Sequence, residues 1–275
     1  NNNPENPVIN FRSFGENKFK VANYAIQYMR GLQDNGIMAC AKHFPGHGDT
    51  DMDSHKDMPE INKSYAELEN LELYPFQRLI ANGIQSIMVA HLHIPAIDNQ
   101  KNIPSTLSSK TITNLLKGKM QYNGLIFTDA LNMQGVAKYY APGDIDLKAF
   151  EAGNDVLLFS QDVNAGMNKI KNALNKGDIS QKRLEESVKK ILLAKYNAGL
   201  YKYEKINTDS IDNDINQYTS SIRKQIAEAS ITLLNDPYLL IDKMKQNDTK
   251  NISYVAVGTS LENTFIKELK KYGIQ

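Results

Sequence analysis

The chain has 275 residues, and its 32 lysines and arginines nearly balance its 31 aspartates and glutamates, which leaves a formal net charge of +1. Its length and its 41% share of hydrophobic residues provide for one large or two ordinary domains, which excludes a disulfide-stapled miniprotein and a disordered tail. The balanced charge makes nucleic acid and an anionic membrane surface unexpected partners, and no apolar run reaches the roughly 18 residues of a membrane-spanning helix.

The first part of the chain alternates between helical hydrophobic spacing and short continuous apolar runs. Apolar residues recur at helical spacing over residues 18–34, Gly36 ends the pattern, and an apolar run at residues 37–41 follows at once. We expect Pro75 to interrupt the second helix. Alternation of this kind predicts a parallel sheet covered by helices, either open or closed into a barrel. The further predicted helices are residues 68–81, 108–119 and 146–152, and the further predicted strands are residues 84–90, 125–127 and 156–159.

The later part of the chain is predicted to leave this sheet. Two amphipathic helices, around residues 167–174 and 184–192, end at Gly177 and Gly199. A stretch rich in Asn, Asp and Lys at residues 202–217 then indicates a linker. Beyond it we predict a helix at residues 220–234, a strand at residues 252–257 and a helix at residues 261–272.

The histidines and one aspartate are concentrated at the ends of predicted strands. His43 and His47 follow the first of the strands named above, His91 and His93 follow the second, and Asp129 follows the third. In parallel α/β folds the loops beyond the carboxyl ends of the strands converge on one crevice, so we expect these groups to meet there. A carboxylate at the position of Asp129 is also compatible with a helix N-cap.

The acidic segment at residues 49–55 has several interpretations. Its acidic spacing is that of a calcium loop, but Ser54 stands where the sharp turn needs glycine. The histidine spacing is tolerable for zinc, yet the sequence has neither the helical His-Glu-x-x-His pattern nor a cysteine set, so we predict no metal. In an extended segment Asp53 and His55 point to the same side, so Asp53 can hold one ring nitrogen while the other faces a substrate. A solvated polar loop is the remaining alternative.

Several separated motifs, in the right order, resemble glycoside hydrolase family 3, in the branch of exo-β-N-acetylglucosaminidases that act on peptidoglycan fragments. The similarity runs without a large gap from residue 1 to about residue 235. The segments that carry it are residues 6–15 (NPVINFRSFG), 31–33 (GLQ), 42–50 (KHFPGHGDT), 53–55 (DSH) and 127–133 (FTDALNM).

The resemblance implies a (β/α)8 barrel that hydrolyses terminal N-acetylglucosamine (GlcNAc) with retention of configuration and without a cofactor. Asp129 matches the nucleophile of the family, and His55, held by Asp53, matches the acid/base of this branch. The substrate-binding matches are Lys42, His43 and Arg12. The expected partner is a small carbohydrate, either a GlcNAc-containing muropeptide or another glycan. The roles of His47, His91 and His93 stay open.

The resemblance also implies a longer protein. We find about five strand-forming positions, counting the residues near Val8 and Ile9 as the first, where the barrel requires eight. We therefore expect residues 1–201 to be the C-terminal portion of the barrel, residues 202–235 to be a linker and a connecting helix, and residues 236–275 to begin a second α/β domain. An attached second domain favours export over a cytoplasmic location, and the oligomeric state has no signature in the sequence.

Two alternative functions come from other classes of protein. One is a non-catalytic carbohydrate-binding or scaffolding module, and the other is a metal-dependent hydrolase. The single cysteine, Cys40, cannot form an internal disulfide, and its apolar neighbours predict a small buried residue rather than a nucleophile.

Overall fold

The structure is a computed structural model that describes residues 3–9, 12–50, 58–202, 204–239, 242–243, 257–258 and 263–271. It divides into two compact units, Asn1–Tyr203 and Glu204–Gln275. The first unit contains the sheet and all of the candidate site residues that the structure describes.

The predicted parallel sheet is confirmed, with three strands in the described part of the first unit. The strands lie in the order β1 (Cys40–Phe44), β2 (Ser86–Val89) and β3 (Leu125–Thr128), and both neighbouring pairs are parallel. The chain is therefore an α/β protein, and closure into an eight-stranded barrel stays a prediction.

The first strand begins three residues later than predicted because the end of the preceding helix uses part of the apolar run. Helix α1 (Lys18–Gln33) begins at Asn17, whose side chain accepts hydrogen bonds from the N–H groups of the first turn. At its other end Gly36 adopts a φ of +78°, and the N–H of Ile37 donates to Leu32 O at 3.0 Å. These residues close the helix, so the chain becomes extended only after them.

Two other predicted strands are wrong. The residues near Val8 and Ile9 form a turn, because the Asn6 side chain accepts hydrogen bonds from both of their N–H groups. Residues 156–159 reach the sheet only through an isolated bridge between Val156 and Phe127. The N–H of Leu158 donates instead to the Thr128 side chain, at 2.8 Å, so the backbone ladder does not continue.

The second predicted helix is two helices, α2 (Tyr65–Asn70) and α3 (Leu73–Ala81), and the break lies before Pro75 rather than at it. Pro75 lies in the first turn of α3, where an N–H has no intrahelical partner and its loss costs nothing. Helix α4 (Lys110–Lys119) is a π-helix in which N–H groups bond five residues back. Three predicted helices in the rest of this unit are confirmed: α6 (Asp144–Ala152), α7 (Val163–Lys176) and α8 (Gln181–Asn197). A short helix, α5 (Gln134–Ala137), precedes them.

Helices α1, α3 and α4 pack against the sheet through one continuous cluster of buried side chains. Cys40 does not belong to it and is exposed, contrary to expectation, because Ala41 is the residue that faces the core at the start of β1. The best-buried members of the cluster are Phe44, Leu73, Ile87, Val89, Ile112, Leu116 and Ile126.

A buried carboxylate ties α8 to the start of β3. The side chain of Asp155 is 1% exposed and accepts hydrogen bonds from Ile126 N–H at 3.1 Å and from Ser187 Oγ at 2.5 Å. Lys190 Nζ lies 3.4 Å from the carboxylate and an Arg183 nitrogen lies 3.6 Å from it. The negative charge is therefore both hydrogen-bonded and paired, as a buried charge requires.

The described part of the second unit is helical and exposed. It contains α9 (Ile211–Asn216), α10 (Thr219–Ser230) and α11 (Thr264–Lys271). Helix α9 falls within the stretch predicted to be a linker, and the linker assignment stays a prediction. Residues 252–256 of the predicted strand lie outside the described residues, and the assignment of residues 236–275 to a second domain stays a prediction. In the described part of the chain, no helix combines the length and apolarity needed to cross a membrane.

Candidate functional site

The carboxyl ends of the three strands bring His43, His91 and Asp129 to one edge of the sheet. His43 lies in β1, His91 follows β2 and Asp129 follows β3. Because the strands are parallel neighbours, their ends lie side by side. The Asp129 N–H donates to Val89 O at 2.9 Å, which fixes the residue against the end of β2.

Asp129 and His43 face each other. The distance between Asp129 Oδ2 and His43 Nε2 is 4.0 Å, and the His43 side chain is only 9% exposed. Burial lowers the pKa of His43 to about 4, and the nearby charges of Lys42 and Arg12 act in the same direction, while Asp129 opposes them. At neutral pH the imidazole is therefore uncharged. Its Nδ1 is buried and has no hydrogen-bond partner among the described residues.

A β-bulge separates the surroundings of Lys42 from those of His43. Ala41 pairs with Ile87 and Phe44 pairs with Val89, so two residues of β1 stand opposite one residue of β2. Such a bulge re-aims the side chains that it contains. Lys42 is exposed and His43 is buried. The peptide bond between them is cis, as is the Phe44–Pro45 bond.

Arg12 and Lys42 line the same cavity, which has a volume of about 550 Å³ and also includes His43 and His47 in its wall. Arg12 is exposed, and its Nη1 donates to Val8 O at 3.2 Å. Of the six predicted site residues, Arg12, Lys42 and His43 line this cavity, and Asp129 lies next to it through its 4.0 Å approach to His43.

Asn6 is a residue of this site whose role the sequence analysis missed. Its side chain is buried and donates to His47 O at 2.7 Å and to Thr50 Oγ1 at 3.2 Å. Its Oδ1 holds the turn that leads to Arg12. An Asn-Pro pair is a turn signal, but only the folded chain reveals which loop the amide group contacts.

The described part of the loop after β1 is anchored at two points. Gly46 has a φ of +139°, and an added Cβ there would lie 2.8 Å from Glu72 Cβ, so only glycine fits. Lys63 Nζ contacts both Asp49 and Glu72 at 2.5 Å. This ion pair connects the end of the loop to the beginning of α3.

The two histidines after β2 have different surroundings. His91 is 1% exposed, and its ring nitrogens contact Thr106 Oγ1 at 2.7 Å and Ala130 O at 2.9 Å. Burial lowers the pKa of His91. His93 is half-buried and its backbone pairs with residues next to Glu60, so it lies farther along the loop.

Asp53 and His55, the predicted acid/base pair, lie outside the described residues, and so does most of the segment considered for calcium. In the described part of the chain, no group of three or more His, Cys, Asp or Glu side chains is placed to hold a metal ion. Asp49, which would open a calcium loop, instead forms the ion pair with Lys63.

Comparisons with known proteins give one consistent family. Residues 1–194 match the glycosyl hydrolase family 3 N terminal domain. Beta-hexosaminidase A from Pseudoalteromonas piscicida is 38% identical over 168 residues, which cover 58% of this chain and 28% of that protein. A protein named beta-N-acetylglucosaminidase/beta-glucosidase from Cellulomonas fimi is 26% identical over 240 residues, which cover 84% of this chain and 43% of that protein.

A solved structure gives the same result. The family 3 β-N-acetylglucosaminidase from Paenibacillus sp. str. FPU-7 is 39% identical, with a TM-score of 0.73 over 76% of this chain and 40% of that one. The chain spans less than half the length of each of these three proteins.

Proposed function

Because this chain belongs to glycosyl hydrolase family 3, we propose that the full-length protein removes terminal β-linked N-acetylglucosamine by hydrolysis with retention of configuration. The observation that carries the proposal is the pair formed by Asp129 and His43 at the strand ends, 4.0 Å apart, beside the cavity lined by Arg12 and Lys42. The names of the similar proteins support the choice of sugar.

In the proposed reaction Asp129 is the nucleophile. Its carboxylate attacks the anomeric carbon while His55, assisted by Asp53, gives a proton to the leaving oxygen. The neutral His55 then takes a proton from water, which attacks the glycosyl-enzyme ester and releases the sugar with its original β configuration. Two inversions at one carbon give net retention.

The charge state of His43 suits this role of Asp129. A protonated imidazole at 4.0 Å would pair with the carboxylate and weaken its interaction with the positive charge that develops on the sugar ring. Because burial keeps His43 neutral, no imidazolium at this position competes with the reacting carbon for the Asp129 carboxylate. The neutral ring is still able to donate an N–H to a sugar hydroxyl.

Lys42 and Arg12 supply fixed cationic donors for the remaining hydroxyl groups and for the substituents of the sugar. Contacts of this kind accelerate the reaction when they tighten as the ring flattens toward an oxocarbenium ion. We assign muropeptides derived from peptidoglycan as the physiological source of the GlcNAc, because these motifs resemble the branch of the family that acts on them.

We also propose the complete fold of the full-length protein. Three parallel strands with covering helices, together with the family match, support an eight-stranded barrel followed by a second α/β domain. A crystal structure of the full-length protein tests both parts, and a sheet that stays open in it would contradict the barrel.

Hydrolysis of 4-nitrophenyl β-N-acetylglucosaminide by the full-length protein tests the activity. Asp129→Ala should abolish turnover, and His55→Ala should reduce it strongly. Asp144→Asn is the matched control, because this aspartate is 40% exposed and pairs with Lys169 on the surface. Proton NMR of the first product formed distinguishes retention from inversion.

Three outcomes would contradict the proposal. Binding of GlcNAc without turnover would favour the non-catalytic module, and loss of activity after chelation would favour the metal-dependent hydrolase. Preference for 4-nitrophenyl β-glucoside would give a different sugar specificity, which the name of the Cellulomonas fimi relative makes worth measuring.

A further inference from the structure

His91 is completely enclosed and connects β2 with the segment that follows Asp129. It is 1% exposed, so it has no surface with which to touch a sugar. Both of its ring nitrogens nevertheless have close polar neighbours, Thr106 Oγ1 at 2.7 Å and Ala130 O at 2.9 Å. These contacts provide the partners that buried ring nitrogens require, and the one at Ala130 connects the ring to the site.

The neighbours of His91 define its tautomer. A carbonyl oxygen only accepts, so the ring proton is on Nε2 and is donated to Ala130 O. On the other side of the ring, the Thr106 hydroxyl oxygen lies 2.7 Å from Nδ1. This hydroxyl donates to Ala90 O at 2.6 Å, so contacts on both sides of the ring hold it in one orientation.

The contact with Ala130 leads directly to Asp129. The Ala130 N–H donates to Asp129 Oδ1 at 2.9 Å, and the Ala130 carbonyl accepts from His91. The backbone on either side is held as well, since Asp129 N–H donates to Val89 O and Leu131 N–H donates to Leu158 O, both at 2.9 Å. The Ala130 carbonyl is held by the buried side chain of His91, which lies at the end of the neighbouring strand β2.

We propose that His91 is a positioning residue for Asp129, which it holds through the carbonyl of Ala130. The proposal rests on the assignment of Asp129 as nucleophile. The carbonyl and the N–H of Ala130 belong to the two peptide groups that meet at its Cα, so holding the carbonyl restrains the residue whose N–H orients the Asp129 carboxylate. His91 thus acts on the rate of the chemical step without contacting the substrate.

Two substitutions in the full-length protein separate the two contacts of the ring. In His91→Gln the amide nitrogen can reach the place of Nε2 and keep the bond to Ala130 O. In His91→Asn the amide reaches only the place of Nδ1, so the bond to Thr106 is kept and the bond to Ala130 is lost. Each variant loses one of the two buried polar contacts of the ring, so the midpoint temperature of thermal unfolding should fall by a similar amount in both.

The two variants should differ in turnover. We expect His91→Asn to lower kcat by about 10- to 100-fold and His91→Gln by less than about threefold, with KM nearly unchanged in both, because a small displacement of a reacting group affects mainly the chemical step. Equal losses of kcat, or no loss in either variant, would overturn the proposal. If His91→Asn does not fold, Thr106→Val still tests the proposal: of the two contacts of the ring it removes only the one at Nδ1, so it should lower kcat by less than about threefold, as His91→Gln does, and a larger loss would overturn the proposal.

A measurement without turnover keeps this proposal separate from the proposed function. In a crystal structure of His91→Asn the Asp129 carboxylate should move by more than about 0.5 Å, the tolerance of a catalytic constellation, and in His91→Gln it should stay in place. An unmoved carboxylate in His91→Asn would refute the positioning role. Absence of β-GlcNAc hydrolysis by the unmodified protein would instead refute the proposed function, and the displacement would still decide the role of His91.

Discussion

Replacement of His43 by glutamine should change how the stability of the protein depends on pH. The unfolded chain protonates this histidine near pH 6.5, whereas burial lowers the pKa in the folded protein to about 4. Between these values the unfolded state binds a proton that the folded state does not, so the free energy of unfolding falls as the pH falls. The stability that the folded protein has with His43 neutral is fully present above pH 6.5 and is lost as the pH falls to about 4.

The size of the effect follows from the two pKa values. The interval between 6.5 and about 4 corresponds to about 3 kcal/mol of unfolding free energy for a residue that is only 9% exposed. Glutamine keeps a neutral hydrogen-bonding group of similar length but does not titrate. When the pH is lowered between these values, the unfolding free energy of the natural protein should therefore fall by about 3 kcal/mol more than that of His43→Gln.

Urea unfolding at several pH values between 7 and 4 measures this difference. The pKa of His91 is also lowered by burial, but His91 is present in both proteins, and its contribution cancels in the comparison. A difference that stays constant over the whole pH range would refute the reasoning, because it would mean that His43 titrates alike in the folded and unfolded states.

Three further predictions concern stability, each measured by urea unfolding. Asp155→Ala should cost about 3–5 kcal/mol because it leaves the Ile126 N–H and the Ser187 hydroxyl without their acceptor and two partly buried cations unpaired, and Asp155→Asn should cost less; a loss below about 1 kcal/mol would contradict the buried network. Gly31→Ala should stabilise by about 0.5–1 kcal/mol, since an added Cβ meets no atom within 4 Å, whereas Gly124→Ala should destabilise by about 1–3 kcal/mol through overlap with the Tyr122 hydroxyl. Equal effects of the two alanines would count against this packing. Asn6→Ala should cost about 2 kcal/mol through the unpaired His47 carbonyl, and an unchanged midpoint would mean that water replaces the amide.

The arrangement of helices and parallel strands was accessible from the sequence because hydrophobic period and glycine position report directly on local structure. Gly177, for example, ends α7 with a φ of +81°, as its place in the pattern predicts. The boundaries failed where a side chain took over a backbone hydrogen bond. Asn6 and Thr128 each capture N–H groups that a strand would have used, and hydrophobic spacing contains no information about such a capture.

The candidate site was predictable in its residue types and in its location at the strand ends. Asp129 and His43 meet there because parallel neighbours end at one edge of the sheet. The supporting contacts were not predictable, because they join residues far apart in the chain. Asn6 lies 41 residues from His47, and His91 lies 39 residues from Ala130.

The extra residue in β1 constrains how this part of the chain can vary in length. Alternate residues of a strand face opposite ways, so insertion of one residue directly before Lys42 would exchange the faces of Lys42 and His43. A flexible cation would then be forced into the interior and an imidazole that must stay dry would be hydrated. A change of length in this segment would therefore displace both side chains from the candidate site at once.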